Sequence, residues 1–231
     1  NKINSLNKSL KEKINFDISN IVKKKYFKKL NFINTPILMG VINMTPDSFS
    51  DGGKFNKLSS AAKRAKYFIK KGCKIIDVGG ESTRPGSKEI NFRREWKRLE
   101  GFLKKTKKLN CLISLDTRKS QIMEYASKYE VDLVNDISGL NYDVSTIEFL
   151  RKSKKPFVLH HSKGSPENMQ KKPMYKNVLL DIYDFFESKL ETINKNGIKH
   201  RNIILDPGIG FGKNLKHNMN LIKNISIFHS L

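Results

Sequence analysis

Six short apolar runs, each followed by a polar residue, alternate along this chain with segments of helical periodicity. The runs occupy residues 37–42, 75–76, 112–115, 132–134, 157–159 and 203–205. Short segments that are apolar throughout are typical of parallel strands that are buried on both faces. Their alternation with helices predicts a parallel sheet whose strands are joined by right-handed crossovers.

A polar residue closes each of the six predicted strands. These residues are Asn43, Asp77, Asp116, Asn135, the pair His160 and His161, and Asp206. Polar side chains at the ends of buried strands cost free energy unless they have a use, and turn formation alone explains six in succession poorly. A doubly wound sheet would spread these residues along a line, whereas a barrel gathers them around one mouth. We therefore predict an α/β fold of the TIM (βα)8 type, with about six of its eight βα units in this chain.

Length and composition fit one large domain preceded by a basic segment. The chain has 231 residues, of which 38% are hydrophobic, which is enough for a sizeable core. We expect residues 1–34 to be a weakly structured, Lys-rich lead and residues 35–231 to form the barrel. No apolar stretch is long enough to cross a membrane, and no secretory signal is visible. Cys73 and Cys111 are far apart and predicted to be buried and reduced, so we expect a cytoplasmic protein.

The chain is strongly basic. Lys and Arg number 45 against 22 Asp and Glu, a formal charge of +23, which is one signature of nucleic-acid binding. However, the lysines are spread over every predicted helix, and no RNP, zinc-finger or helix-turn-helix pattern accompanies them. We interpret the charge as compositional drift and predict no nucleic-acid partner. A basic field still attracts anionic substrates such as diphosphates.

The loops after the first two predicted strands carry most of the candidate chemistry. The loop at residues 43–53 is rich in hydroxyls, carboxylates and glycines, and its length favours a mobile lid over a substrate. Its first residue, Asn43, offers an oxygen of the kind that Mg²⁺ accepts beside substrate phosphates. In the loop at residues 77–86, Arg84 beside Thr83 can bind a phosphate or a carboxylate through its planar guanidinium group.

Two further motifs do not carry the chemistry that they first suggest. The glycine-rich run at residues 208–213 lacks the residues of a Walker loop or a dinucleotide fingerprint, so it predicts only a tight turn into the last helix. His160 and His161 are adjacent on a strand and point to opposite faces, so they do not form a metal pair, and at most one faces the barrel mouth.

Taken together, the motifs resemble those of the dihydropteroate synthase family. Residues 43–53 are similar to its first signature and residues 76–86 to its second. Residues 114–117, 135–137 and 205–213 match further family segments in the same order, so the resemblance runs from about residue 36 to the C-terminus. The family condenses 6-hydroxymethyl-7,8-dihydropterin diphosphate with 4-aminobenzoate to give 7,8-dihydropteroate and diphosphate in folate biosynthesis, and sulfonamides target it.

The resemblance also implies roles for individual residues. Mg²⁺ would bind at Asn43 and neutralise the leaving diphosphate, and the enzyme would be a homodimer when full length. The implied catalytic residues are Asp47, Asp116 and Asp206. The implied substrate-binding residues are Asn43, Phe49, Thr83, Arg84, Asp116, Asn135, His161 and Asp206.

The sequence departs from the family pattern in three places. His160 stands where a Met is usual, and Ser162 is also uncommon, which bears on the wall of the pterin pocket. The family pattern continues with a seventh strand leading to Ser-Arg-Lys and an eighth leading to Arg-x-His, whereas this sequence ends at Leu231. We therefore expect the 231-residue chain made alone to be insoluble or inactive.

Two other functions fit part of the pattern. A pterin-binding methyltransferase barrel resembles this fold but would lack the lid at residues 45–53 and the loop at residues 81–86. A non-catalytic, degenerate barrel or a basic nucleic-acid-binding fragment would fit the high lysine content. Salt-sensitive RNA binding without pterin binding would favour the second alternative.

Overall fold

The computed structural model describes residues 7–23, 26–27, 30–31, 36–45, 54–84, 86–164 and 173–231. Two of the predicted site residues, Asp47 and Phe49, lie outside these ranges. The described chain opens with helix α1 (Lys8–Val22) and a two-stranded antiparallel pair, β1 (Tyr26–Phe27) and β2 (Leu30–Asn31).

Six βα units follow, each made of one strand and the helix after it. They are β3 (Met39–Asn43) with α2 (Lys54–Lys70), β4 (Ile75–Gly79) with α3 (Phe92–Thr106), β5 (Leu112–Asp116) with α4 (Ser120–Ala126), β6 (Leu133–Asp136) with α5 (Ser145–Ser153), β7 (Phe157–His160) with α6 (Val178–Lys195), and β8 (Ile203–Asp206) with α7 (Leu215–Lys223). Short 3₁₀ turns precede β8 and follow α7. All six predicted strands are therefore present; five lie within two residues of their predicted bounds, and β4 extends three residues beyond its predicted end.

The six strands form one parallel sheet in the order β3-β4-β5-β6-β7-β8. Spatial order follows chain order without a reversal, whereas a doubly wound sheet reverses at its switch point. Each strand is joined to the next through a helix, as in consecutive units of a (βα)8 barrel. The prediction of an α/β, TIM-type fold with six βα units is confirmed.

The sheet has two different faces, as the curved wall of a barrel requires. The face toward the helices carries the large core, in which Phe102, Leu115 and Phe186 are fully buried. The opposite face carries a separate, smaller apolar cluster of Ile75, Leu133 and Val158, with Met39, Leu112 and Ile204 packed against it. Each of these smaller side chains contributes about 1.5–3 kcal/mol when fully buried. This cluster is the floor beneath the strand ends.

Helix α1 lies within the segment for which the sequence predicts weak structure. Asn7 caps it, accepting a hydrogen bond from the Leu10 backbone amide at 2.9 Å. Asn20 is buried and its Nδ2 donates to the Ser230 carbonyl oxygen at 2.9 Å. The helix departs from the expectation because its stabilising partners lie more than two hundred residues away, where no local pattern in the sequence reports them.

Apolar residues in α7 show helical spacing but do not form a core stripe. Leu215, Met219 and Ile222 are exposed, whereas Leu221 is fully buried. The helix begins at Asn214, whose side chain accepts from the His217 amide and sets the phase of the first turn. The helical spacing of the apolar residues therefore does not mark the buried face of α7.

Among the described residues, no helix combines the length and the apolar character that crossing a membrane demands. Cys73 and Cys111 are free thiols, Cys73 buried and Cys111 half-buried. Burial raises the pKa of Cys111 to about 11, so its thiol stays protonated at neutral pH.

Candidate active site

A layer of polar side chains lies directly above the apolar floor. Side chains alternate along a strand, so residues two positions beyond the floor residues share their face of the sheet. Ile75, Leu133, Val158 and Ile204 belong to the floor. The layer above it, called here the inward polar layer, consists of Asp77, Ser114, Asn135, His160 and Asp206.

Asp77 and Asn135 form the centre of this layer. Asn135 Nδ2 donates to Asp77 Oδ2 at 3.3 Å. Asp77 Oδ1 and Asn135 Oδ1 are buried and have no hydrogen-bond partner among the residues that the structure describes. The pKa of Asp77 is raised to about 6, because burial and the nearby Asp206 carboxylate raise it by more than Ser114 and Asn135 lower it. The pair therefore presents open acceptor atoms, which a ligand with N–H groups can satisfy.

Asp116 ends β5 above the inward polar layer, and its side chain lies against the backbone of Gly79. A Cβ placed on Gly79 would lie 2.8 Å from Asp116 Oδ2, so the approach requires glycine. Asp116 is 7% exposed. Burial raises its pKa well above the usual range, and the negative charges of Asp77 and Glu95 raise it further.

Asp206 ends β8 with its side chain 45% exposed, so it borders the open space above the sheet. Its Oδ1 accepts a hydrogen bond from the Gly208 amide at 2.7 Å, while Oδ2 lies 4.0 Å from His160 Nε2. The sequence predicts a catalytic role for Asp206. In the structure its carboxylate interacts electrostatically with that of Asp77. One carboxylate oxygen remains available to a ligand.

His161 occupies a different environment from His160. Its ring packs against Phe185 of α6, with centroids 4.9 Å apart, and its Nδ1 accepts from the buried Lys213 Nζ at 3.1 Å. Burial and the Lys213 charge lower the pKa of His161 to about 3. His161 thus lies between the strand and its helix, and His160 is the histidine on the inward face. The structure does not bring the predicted substrate contact His161 into the inward polar layer.

The loop after β4 carries the predicted contacts Thr83 and Arg84. Thr83 is half-buried and Arg84 is exposed, and the loop turns back where the Ser87 amide donates to the Arg84 carbonyl oxygen at 3.0 Å. The base of the loop is Glu81, whose Oε1 accepts from the Ile90 amide at 2.8 Å.

A buried network of hydrogen bonds and ion pairs holds Glu81 in place. We call it the anchor network, and it consists of Glu81, Glu95, Thr117, Arg118 and Lys119. Lys119 Nζ donates to Glu95 Oε2 at 2.8 Å and to Glu81 Oε1 at 3.1 Å. Arg118 Nε donates to Glu81 Oε2 at 2.8 Å, and Thr117 Oγ1 donates to Glu95 Oε1 at 2.7 Å. Burial alone would raise the pKa of Glu81, but these donors outweigh it and lower the pKa.

Asn43, the predicted metal ligand, ends β3 and is half-buried. It is in register with Gly79, which is in register with Asp116, so the three residues follow one another across the carboxyl edge of the sheet. The described residues contain no group of three or more His, Cys, Asp or Glu side chains able to hold a metal ion. A cation at Asn43 would therefore take few protein ligands.

Comparison with known proteins shows the family of this chain. The family model described as pterin binding enzyme matches residues 39–231. The dihydropteroate synthase of Escherichia coli K12 is 37% identical over 198 residues, which cover 85% of this chain and 70% of that protein. The chain belongs to the dihydropteroate synthase family.

Solved structures of the family superimpose on this chain. A Yersinia pestis dihydropteroate synthase in complex with a sulfonamide drug gives a TM-score of 0.81 at 36% identity, covering 90% of this chain and 76% of that one. A Clostridium difficile dihydropteroate synthase crystallised in the presence of pteroic acid gives 0.76 at 37% identity, covering 83% and 71%. The family assignment thus holds in sequence and in fold.

Sequence reasoning missed three features of this dihydropteroate synthase site. Asp77 was recognised as a strand end but given no role, although the two-residue period of the strand places it beside Asn135. Lys119 was not singled out, although a basic pair directly after Asp116-Thr117 is a detectable signal. Lys213 was seen only as part of a failed phosphate loop, whereas it hydrogen-bonds the Phe211 carbonyl oxygen at 2.8 Å and closes the glycine-rich turn.

Proposed function

We propose that this protein is a transferase that condenses 6-hydroxymethyl-7,8-dihydropterin diphosphate with 4-aminobenzoate to form 7,8-dihydropteroate and diphosphate. The observation that carries the proposal is the set of open, buried acceptor atoms in the inward polar layer. Among the described residues, Asp77 Oδ1 and Asn135 Oδ1 have no hydrogen-bond partner, and Asp206 Oδ2 lies 4.0 Å from His160 Nε2, beyond hydrogen-bond distance. Such atoms need donors, and a dihydropterin ring presents several N–H groups along one edge.

The same residues favour the chemical step. Breaking the bond between the pterin methylene carbon and the diphosphate oxygen leaves positive charge on the pterin side. Asp116, Asp77 and Asp206 lie near the carboxyl ends of their strands, and carboxylates already held in place stabilise charge as it develops. The 4-aminobenzoate amine then attacks the methylene carbon and loses one proton as the C–N bond forms.

We place the diphosphate at the loop after β4. Thr83 and Arg84 carry a hydroxyl and a guanidinium group, which are donors to phosphate oxygens. The anchor network holds this loop from beneath through Glu81, so the loop is positioned before substrate arrives. Asp47 and Phe49, in the segment between β3 and α2, are proposed to border the aminobenzoate and exclude water.

Mg²⁺ is the proposed cofactor, with Asn43 as its protein ligand. The chemistry of the donor fits, because Mg²⁺ prefers oxygen ligands and commonly binds through one or two protein oxygens plus substrate phosphates. When bound, the ion would neutralise charge on the leaving diphosphate. Asn43 itself would orient the diphosphate toward the β3 end of the sheet.

Two broader properties belong to the same proposal. We propose a cytoplasmic enzyme, because Cys73 and Cys111 are free thiols rather than a disulfide. We also propose a homodimer, which the exposed apolar side chains of α7 support. A sulfonamide is expected to compete with 4-aminobenzoate, because a Yersinia pestis relative is known in complex with such a drug.

The test measures formation of 7,8-dihydropteroate by the full-length protein from the two substrates. We expect activity that requires Mg²⁺, is abolished by EDTA, and is inhibited by a sulfonamide competitively with 4-aminobenzoate. Asp206→Asn should lose about 100-fold or more in kcat/KM, whereas the surface control Glu148→Gln should keep full activity. Absence of product, together with salt-sensitive RNA binding and no pterin binding, would contradict the proposal.

A further inference from the structure

His160 and Ser114 are the two members of the inward polar layer that the reaction above leaves without a role, and of these two His160 carries the titratable side chain. It ends β7 and is in register with Asp206 at the end of β8. Its side chain is only 3% exposed, so the ring is removed from bulk water. The resemblance described above implies Met at this position, where this chain carries an imidazole.

The contacts of the ring fix which nitrogen carries its hydrogen. His160 Nδ1 lies 3.1 Å from the carbonyl oxygen of Ile137. A carbonyl oxygen only accepts, so Nδ1 must be the donor. Burial lowers the pKa of His160, outweighing Asp206 and Ile137, which raise it. The ring is therefore neutral near pH 7, and Nε2 is left as an acceptor.

Nε2 and Asp206 face the same space as two acceptors. Nε2 lies 4.0 Å from Asp206 Oδ2, which is too long for a direct hydrogen bond. The other carboxylate oxygen is already occupied by the Gly208 amide. Two acceptors this close favour a donor that reaches both, and an amino group carries two N–H bonds.

The ring cannot turn easily away from this position. Phe211 packs edge-on against it, with ring centroids 4.7 Å apart. The backbone at Gly208 closes the opposite approach, since a Cβ there would lie 3.0 Å from His160 Cε1 and 3.1 Å from Nε2. The acceptor is therefore held in place before a ligand binds.

We propose that His160 is a specificity-determining residue of the substrate site, where its Nε2 accepts a hydrogen bond from the exocyclic 2-amino group of the pterin while Asp206 accepts a second from the same edge of the ring. The inference rests on the proposed function and deepens it. A ring with a 2-oxo group, as in a lumazine, would set an oxygen against these two acceptors and be rejected.

The test compares affinities of the full-length protein for 6-hydroxymethylpterin and for 6-hydroxymethyllumazine, measured by titration calorimetry. The wild-type protein should prefer the pterin, and His160→Met should reduce this preference by about 5- to 10-fold, mainly through weaker pterin binding. His160→Gln should keep part of the preference, because its amide oxygen can accept. The exposed His229→Met is the matched control and should change neither affinity.

A second measurement is made on the wild-type protein, and a substitution serves only to assign the resonance. In protein labelled with ¹⁵N-histidine, the free state should show His160 as the neutral Nδ1–H tautomer, assigned by its loss in His160→Gln. Pterin should shift the Nε2 resonance upfield, as expected when a lone pair accepts a hydrogen bond. A resonance that does not respond to pterin would overturn the inference even if His160→Met failed to fold.

Asp206→Asn separates this inference from the proposed function. Should Asp206→Asn lose pterin binding while His160→Met keeps the wild-type preference, the His160 contact is wrong and the proposed function stands. Should neither variant change pterin binding, both are wrong. Loss of binding in Asp206→Asn together with reduced preference in His160→Met supports both.

Discussion

The anchor network and the inward polar layer are both buried and rich in carboxylates, yet they are built in opposite ways. In the anchor network all four carboxylate oxygens of Glu81 and Glu95 accept hydrogen bonds from protein donors. In the inward polar layer Asp77 Oδ1 and Asn135 Oδ1 accept none from the described part of the chain. The first region is complete without a ligand and the second is not.

The pKa values of the carboxyl groups show the same difference. Arg118 and Lys119 balance the charges of Glu81 and Glu95, and the pKa of Glu81 is lowered despite its burial. No such cation lies within hydrogen-bond distance of Asp77 or Asp116 among the described residues, and burial raises both pKa values. A protein keeps uncompensated carboxylates at a free-energy cost, which is characteristic of functional sites.

The largest change in stability is expected when the buried cation of the anchor network is removed. Lys119→Met leaves Glu81 and the fully buried Glu95 without their shared donor. We expect a loss of about 3–5 kcal/mol in the free energy of unfolding, measured by urea denaturation, because an unpaired buried charge is left behind. Lys104→Met removes an exposed ion pair with Glu100 and is the matched control, with an unchanged midpoint. Equal midpoints for the two variants would refute the structural role of the network.

The opposite outcome is expected for Asp116→Asn in the site. The substitution is nearly isosteric and removes a carboxylate whose pKa is raised by burial, so stability should be unchanged or higher. Activity should fall by about 100- to 1000-fold, because a charge complementary to the transition state is lost. Steady-state kinetics and a thermal melt on the same sample check both halves. Lost stability with retained activity would place Asp116 among the structural carboxylates.

The carboxyl group of Asp77 should make the stability of the protein depend on pH, unlike the fully hydrogen-bonded carboxylates of the anchor network. Its pKa is raised from 3.8 to about 6, so between these values the folded state holds a proton that the unfolded state has released. The stability of the wild type should therefore fall as pH rises from about 4 to 6, relative to Asp77→Asn, by up to about 3 kcal/mol. Urea denaturation of both proteins across this range measures the difference. A constant difference would mean that the Asp77 pKa is not raised.

The smallest effect is expected at the exposed end of the anchor network. Glu89 Oε2 lies 3.4 Å from Arg118 Nη2, and more than half of the Glu89 side chain is exposed. Glu89→Gln should cost less than about 1 kcal/mol in the free energy of unfolding, because solvent screens this pair. A loss of unfolding free energy comparable to that of Lys119→Met would show that the anchor network depends on its exposed ion pair.

The sequence predicts the sheet and its carboxyl edge well, because both follow from short-range rules. Apolar runs locate the strands, and the two-residue period aligns Asp77, Asn135 and Asp206 on one face. The same period predicts that the side chains of His160 and His161 point to opposite faces of the sheet. It does not predict which of them lies on the inward face, since that depends on the register with β8. The family resemblance favoured His161 as a substrate contact, and the contacts of His160 became visible only in three dimensions.

Contacts between residues far apart in the chain could not be predicted from the sequence. The anchor network joins Glu81 to Lys119 across two βα units, and Asn20 of α1 meets Ser230. Local periodicity carries no record of such contacts. It also identifies α7 but not its buried face, because Leu221 alone is fully buried while the regularly spaced Leu215 and Met219 are exposed.

The two glycines that border the carboxylates limit how this site can change. At position 208 a Cβ would lie 2.0 Å from the His161 carbonyl oxygen, on a backbone with a φ of +69°. At position 79 it would collide with Asp116. A side chain introduced at either position would therefore force its neighbours to move. An inhibitor that rests on these two peptide surfaces would face fewer escape variants than one that rests on the exposed Arg84.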